Sequence, residues 1–257
     1  MKLNFVRKPI RVAGLGLITA TYLPLYVARD AMLGVGVGKT ELRQRLHLRD
    51  LWTGRWSRAL LKLFAVHPNI VGDVPTRQGG YLVVANHRST IDIALVLATF
   101  GGCVVSRADL SRWPIIGPAA RKVGTLFVER TNKQSGARVI RAMAGRLAEG
   151  DIVSVFPEGT TFPDDEVRPF LRGGFVAAIR AGVPVLPVGI AYEAGSEAAF
   201  VGESFGAHLD RMSGAPPTRV TVCIGKPLPS DDGGAATLPA RAHEAVQALV
   251  HKARSLV

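Results

Sequence analysis

From residue 81 onward, short apolar runs alternate with helical stretches. YLVVA (81–85), CVVS (103–106), TLFVE (125–129), IVSVF (152–156), VLPVGIAY (185–192) and VTVCIG (220–225) read as strands. Between them, 90–100, 109–122, a segment with Val139, Met143 and Leu147 on one face, 173–182 and 238–255 read as helices. The strands are continuously apolar rather than alternating, as expected of strands covered on both faces. The pattern predicts an α/β fold with a mostly parallel central sheet flanked by helices. Pro184 and Pro187 cannot donate to a ladder, which predicts that their strand lies at an edge or starts late.

The first quarter differs. No residue from Val12 to Ala28 is charged, and Pro24 interrupts this 17-residue run. Such a segment is at the short end for a spanning helix, so a tilted span, a dipping hairpin and an interfacial helix all fit it. A signal peptide or a buried core helix is the competing reading. Residues 41 to 66 read as one or two basic amphipathic helices carrying Trp52 and Trp56. The chain therefore divides into a membrane-anchoring helical segment, 1–65, and a catalytic domain, 66–257. Of the net charge of +12, most lies in residues 1 to 64, where twelve Lys/Arg stand against three acids. A basic segment suits anionic lipid headgroups or nucleic acid, and the apolar run beside it favours membrane lipids and no nucleic acid. The expected location is the cell membrane, with the catalytic domain on the cytoplasmic side. Cys103 and Cys223 sit in strand-like runs and read as buried free thiols, with no disulfide or metal site.

The sharpest chemical signal is Asn86-His87-Arg88-Ser89-Thr90-Ile91-Asp92, which follows a strand and opens a helix. Ser89 or Thr90 is the expected N-cap. His87 falls at a strand's carboxyl end, where open α/β sheets place ligands. Asp92 can accept one imidazole N–H, leaving the other ring nitrogen to take a proton. No protein nucleophile is needed if the substrate brings its own hydroxyl. Three segments follow in order. GTLFVER ends a strand on Arg130, suited to a phosphate. FPEGT turns sharply at Glu158, Gly159 and Thr160, where Glu158 could hold substrate hydroxyls or organise Arg130. VPVLPV (183–188) carries no reactive group and is expected to shape a wall or an acyl groove.

NHRSTID resembles the Asn-His-x4-Asp block of the glycerolipid acyltransferases. GTLFVER, FPEGT and VPVLPV resemble their second, third and fourth blocks, in order, over roughly residues 70 to 230. The resemblance is greatest to the 1-acyl-glycerol-3-phosphate acyltransferases. It implies an α/β domain with an N-terminal membrane-associated helical element. It also implies that His87 deprotonates the acceptor hydroxyl and Asp92 orients it. Arg130 would contact the acceptor's phosphate, and Glu158, Gly159 and Thr160 would complete the pocket. The donor would be an acyl-CoA or acyl carrier protein thioester and the acceptor a lysophospholipid, first of all 1-acyl-glycerol-3-phosphate giving phosphatidic acid, with no metal or bound cofactor.

One departure matters. The family's third block often continues Arg-Ser, whereas here Thr161-Phe162 stands there. Arg168 or Arg172 could supply the missing charge, and Arg172 matches the family's basic residue after Pro-Phe. A related group with this threonine acylates lyso-ornithine lipids, which keeps that acceptor open. A catalytically silent lipid-binding protein is the rival from another class. A serine hydrolase is set aside for want of a nucleophile elbow, a Gly-x-Ser-x-Gly turn between strand and helix.

Overall fold

The structure is a computed structural model that describes residues 2–33, 39–75, 79–129, 131–231 and 234–257. Two long helices come first, α1 (Lys2–Met32) and α2 (Lys39–Leu63). They run antiparallel: Arg11 and Gly14 meet Leu63, Thr19 meets Trp56, and Asp30 meets Arg45. The apolar run read from the sequence is thus the middle of a longer helix with Pro9 and Pro24 inside it. Residues 41 to 66 form one helix and the start of a strand rather than two helices.

The remaining elements are β1 (Val66–Val71), β2 (Tyr81–Ala85), α3 (Asp92–Phe100), β3 (Cys103–Arg107), a 3-10 helix (Ala108–Arg112), α4 (Ile116–Lys122), β4 (Leu126–Val128) and α5 (Lys133–Ala148). Then come β5 (Ile152–Val155), α6 (Gly173–Ala181), β6 (Val185–Tyr192), α7 (Phe205–Gly214), β7 (Thr218–Ile224) and α8 (Gly234–Ser255). The seven strands order as β1-β7-β6-β2-β5-β3-β4, and every pairing is parallel except β6 with β7.

Side chains alternate across the sheet, so the central strands feed two cores. Val83, Ala85 and Ile152 face Leu60, Phe64, Leu95 and Met212 from α2, α3 and α7. Leu82, Val84 and Val153 face Met143, Phe175 and Val246 from α5, α6 and α8. Cys103 and Cys223 are buried free thiols, as expected.

One expectation holds only in its second form, and another needs correction. The strand with two prolines is not at an edge, since β6 lies between β7 and β2, but it does start late, after Pro184. Pro184 precedes the strand and offers only its carbonyl, which accepts Leu82 N–H. Pro187 turns its carbonyl toward Gly225, just beyond the ladder that β6 and β7 begin at Val188 and Ile224. Its missing N–H therefore falls where no partner strand requires a donor. Nor does 183–188 line the apolar cavity described below. Its residues divide between the two cores, Val183 and Val185 in one, Leu186 and Val188 in the other.

Candidate active site

The central strand β2 ends at Ala85, and Asn86 continues it by side chain. Its amide donates to Ile190 O at 2.9 Å and its carbonyl accepts Ile190 N–H at 2.8 Å, imitating one more ladder step on β6. That fixes the next residue, His87, at the sheet's carboxyl edge. The expected Ser or Thr N-cap is absent; Ile91 occupies the cap position without a side-chain bond. Asp92, the first helical residue, folds back into the loop instead. Its Oδ2 accepts the backbone N–H groups of Arg88 and Ser89, both at 2.7 Å, and lies 3.0 Å from His87 Nδ1. Its Oδ1 accepts the Tyr192 hydroxyl at 2.7 Å. The carboxylate is wholly buried, with all its partners polar, as a buried charge requires.

This arrangement makes Nδ1 the protonated nitrogen of neutral His87 and leaves Nε2 with no hydrogen-bond partner among the described residues. The side chain is 17% exposed, so Nε2 can meet a substrate while the ring stays fixed. Phe156, at the end of β5, stacks on the ring at 4.1 Å and 15°. His87 and Asp92 are thus brought together, and the imidazole is held by the carboxylate at one nitrogen and by the Phe156 ring on one face.

Glu158 is adjacent. Its Oε1 accepts His87 N–H at 2.7 Å and its Oε2 accepts Arg168 N–H at 2.9 Å. Burial pushes its carboxyl up, against the pull of those two backbone donors. Each oxygen already holds a backbone group, so Glu158 ties the β5 turn to the His87 loop. Gly159 has φ 81°, and an added Cβ would lie 3.0 Å from Leu171 Cδ1, so glycine alone fits without strain. Thr160 is exposed beside it. Leu171 N–H bonds Pro157 O at 2.8 Å, bringing exposed Arg172 back to this turn. Arg130 lies outside the described residues.

The loop after Thr160 closes over the histidine: Phe162 N–H donates to His87 O at 3.1 Å. Its acids engage the nearby arginines. Asp165 pairs with Arg88 and Arg254, and Arg168 pairs with Asp164 and Glu166. Burial alone would raise the Asp165 carboxyl, but Arg254 and Arg88 outweigh it and hold it below the usual range. Behind the loop, buried His208 accepts Thr90 N–H on Nε2 at 3.3 Å and faces Glu203 with Nδ1 at 3.2 Å. Burial pulls His208 below its usual value, partly offset by Glu203.

The backbone N–H groups around this histidine are largely committed. Those of Arg88 and Ser89 serve Asp92, that of Thr90 serves His208, and that of Gly159 bonds Phe156 O. Gly202-Glu203-Ser204-Phe205-Gly206 does have elbow spacing, a point missed in reading the sequence. Ser204 is instead the N-cap of α7, accepts Ala207 N–H, and follows a loop rather than a strand. Tyr192 and His208 were also missed. They lie 100 or more residues from the loop they touch, and only strand adjacency could have pointed to Tyr192.

An apolar cavity of about 190 Å³ opens from this loop toward the helical hairpin. Thr90 and Ile91 line its inner end, with Leu15, Tyr22, Trp56 and Ile116 farther along. α1 is long and apolar enough to cross a membrane over Val6–Met32.

A histidine ring held by a buried carboxylate, with an apolar cavity beside it, is an arrangement that can activate a substrate's own hydroxyl. The chain belongs to the Acyltransferase family, whose model matches residues 67–191. It is 32% identical to the lyso-ornithine lipid O-acyltransferase of Pseudomonas aeruginosa, over 96% of this chain and 93% of that protein. It is 31% identical to the 1-acyl-sn-glycerol-3-phosphate acyltransferase of Neisseria meningitidis serogroup B, over 52% of this chain and 53% of that one. The crystal structure of the 1-acyl-sn-glycerophosphate (LPA) acyltransferase PlsC from Thermotoga maritima shares the fold, with a TM-score of 0.68 at 21% identity over 97% of both chains.

Proposed function

We propose that this acyltransferase esterifies the free hydroxyl of a lyso-lipid, with lyso-ornithine lipid as its acceptor and His87 as general base. His87 Nε2 takes the proton as the hydroxyl oxygen attacks the thioester carbonyl. The C–S bond then breaks, and the imidazolium returns the proton to the departing thiolate. Asp92 supports the imidazolium while it exists. The donor is an acyl-CoA or acyl carrier protein thioester, whose chain the apolar cavity is suited to hold.

The observation that carries the acceptor is the charge of the rim. Arg88 and Arg168 are already neutralised by Asp165, Asp164 and Glu166. A phosphate headgroup needs uncompensated cations. An ornithine headgroup brings an ammonium and a carboxylate, which a rim of mixed sign can meet. Thr161, where the family often carries arginine, agrees, as does the end-to-end similarity to a lyso-ornithine lipid O-acyltransferase. Arg172 favours a second reading, with 1-acyl-glycerol-3-phosphate as acceptor, because it is exposed and makes no ion pair among the described residues.

Membrane attachment follows from the two faces of α1. Arg11 is buried and donates to the carbonyls of Leu63, Met212, Ser213 and Ala215, fixing one face to α2 and the end of α7. Val6, Ile10, Leu17, Leu25 and Met32 are exposed on the helix. A helix docked on one side and apolar on the other suits one leaflet of the cell membrane, with the catalytic part on the cytoplasmic side.

The test is a purified full-length chain on lipid vesicles, offered lyso-ornithine lipid and 1-acyl-glycerol-3-phosphate with each donor type, reading product mass. Acylated ornithine lipid as main product supports the reading. Phosphatidic acid alone transfers it to the second acceptor, and no acyl product with either removes it.

A further inference from the structure

Asp92 is bound at both oxygens, and the two ends serve different elements. Oδ2 meets His87 and the loop backbone; among the described residues, Oδ1 meets only the Tyr192 hydroxyl. Tyr192 is the last residue of β6, which lies directly beside β2, whose end carries His87. It is 1% exposed and paired with Val220 of β7. Its own carbonyl accepts from Arg254 of α8. Backbone and side chain are therefore fixed by three elements, and the hydroxyl is aimed at one carboxylate oxygen.

We infer that Tyr192 is a positioning residue for the acyl transfer, setting through Asp92 both the orientation of the His87 ring and the charge available to its imidazolium. The inference rests on His87 being the base. A hydroxyl donating to Oδ1 draws negative charge from Oδ2 and stops the carboxylate from rotating about its Cβ–Cγ bond. Rotation would break the Nδ1 contact and release the tautomer that leaves Nε2 open. Burial and the Asp92 charge hold the phenol well above its usual value, so Tyr192 remains a donor throughout the working pH range. Other charged groups surround the pair: Arg88 with Asp165 and Arg254, Glu158 near Arg168, and His208 with Glu203 and Arg211. None of them reaches Oδ1 by hydrogen bond.

Tyr192→Phe keeps the ring and removes the donor. With the full-length enzyme on vesicles, kcat should fall roughly tenfold, as when a group behind a catalytic residue is lost, with little change in the acceptor's KM. The acid limb of the kcat/KM profile should move to higher pH, because a more negative Oδ2 retains the proton on the imidazole. A purely structural tyrosine would lower the melting temperature and leave that limb in place. In an Asp92→Asn background the same substitution should have almost no further effect, since the two act as a unit. 3-Fluorotyrosine placed at 192 keeps the fold and donates more strongly, so the acid limb should move to lower pH. His87→Ala is the control: full activity there removes the base itself. An inactive His87→Ala beside an unchanged Tyr192→Phe profile overturns the role of Tyr192 alone.

Discussion

Glu158 Oε1 accepts the backbone N–H of His87 at 2.7 Å from 71 residues along the chain, while its Oε2 holds Arg168 N–H. The carboxylate thus clamps two loops. Glu158→Gln keeps the size but turns an amide NH2 toward one of the two N–H donors. That leaves a backbone donor unpaired at a cost of about 1–3 kcal/mol. The loop should shift, and kcat should drop by about tenfold or more, since small misplacements in a reacting geometry are expensive. If Glu158 instead gripped the acceptor, KM would rise at constant kcat. Steady-state kinetics with varied acceptor separates the two.

What was legible in the chain was local. His87 and Asp92 lie five residues apart in one loop, so their pairing needed no knowledge of the sheet. The strands β2, β5 and β6 announced themselves as largely apolar runs because both faces are covered. β1 gave no such run: it is an edge strand whose middle residues are exposed and include His67, Pro68 and Asn69. α7 was missed because four of its ten residues are polar, and its buried side chains include His208 and Ser213 beside Met212. The place of β6 was misread because proline reports a missing donor but not which neighbouring strand has already ended. Tyr192 meets Asp92 only through strand order, which no local pattern encodes.

Removing the base and removing its holder should differ in kind. His87→Ala deletes the proton acceptor and should lower kcat by roughly 100- to 10,000-fold. Asp92→Asn keeps the shape but can present an amide NH2 to His87 Nδ1, favouring the tautomer with Nε2 protonated. It should approach the same loss while the protein remains folded. Near-normal turnover by either variant, with wild-type circular dichroism, contradicts a His–Asp base.

His208 links stability to pH. Its folded-state value lies below the ordinary 6.5, because burial disfavours the imidazolium. The unfolded chain therefore takes up a proton first as pH falls. Stability from this residue is complete above about 6.5 and declines as pH drops from there toward the lower folded value. Thr90 N–H loses its acceptor when Nε2 is protonated, so the catalytic loop should loosen in the same range. Urea unfolding at several pH values reads this. His208→Gln should be less stable at neutral pH and show a shallower slope below 6.5. An unchanged slope assigns the acid sensitivity elsewhere.

Arg11 ties the helical hairpin to the end of α7, and a second side chain ties it to the sheet. Arg49 of α2 grips Asp151, just before β5, through both carboxylate oxygens at 2.6 and 2.7 Å, with side chains 5% and 1% exposed. Arg146 reaches the same carboxylate at 3.4 Å, and Arg49 also holds Asp50. Arg49→Met weakens the compensation of both acids, so it should destabilise by about 3 kcal/mol, the low end of the usual cost of breaking a buried pair. Asp151→Leu in the same chain should recover part of that loss, because the more deeply buried of the two acids is gone. β5 leads straight to Phe156 and Glu158, so the single variant should also lose activity before it loses its fold. Thermal melts of the single and double variants, run with vesicle activity assays, check both. Equal melting temperatures for wild type and Arg49→Met would mean that the pair does not hold the hairpin to the sheet.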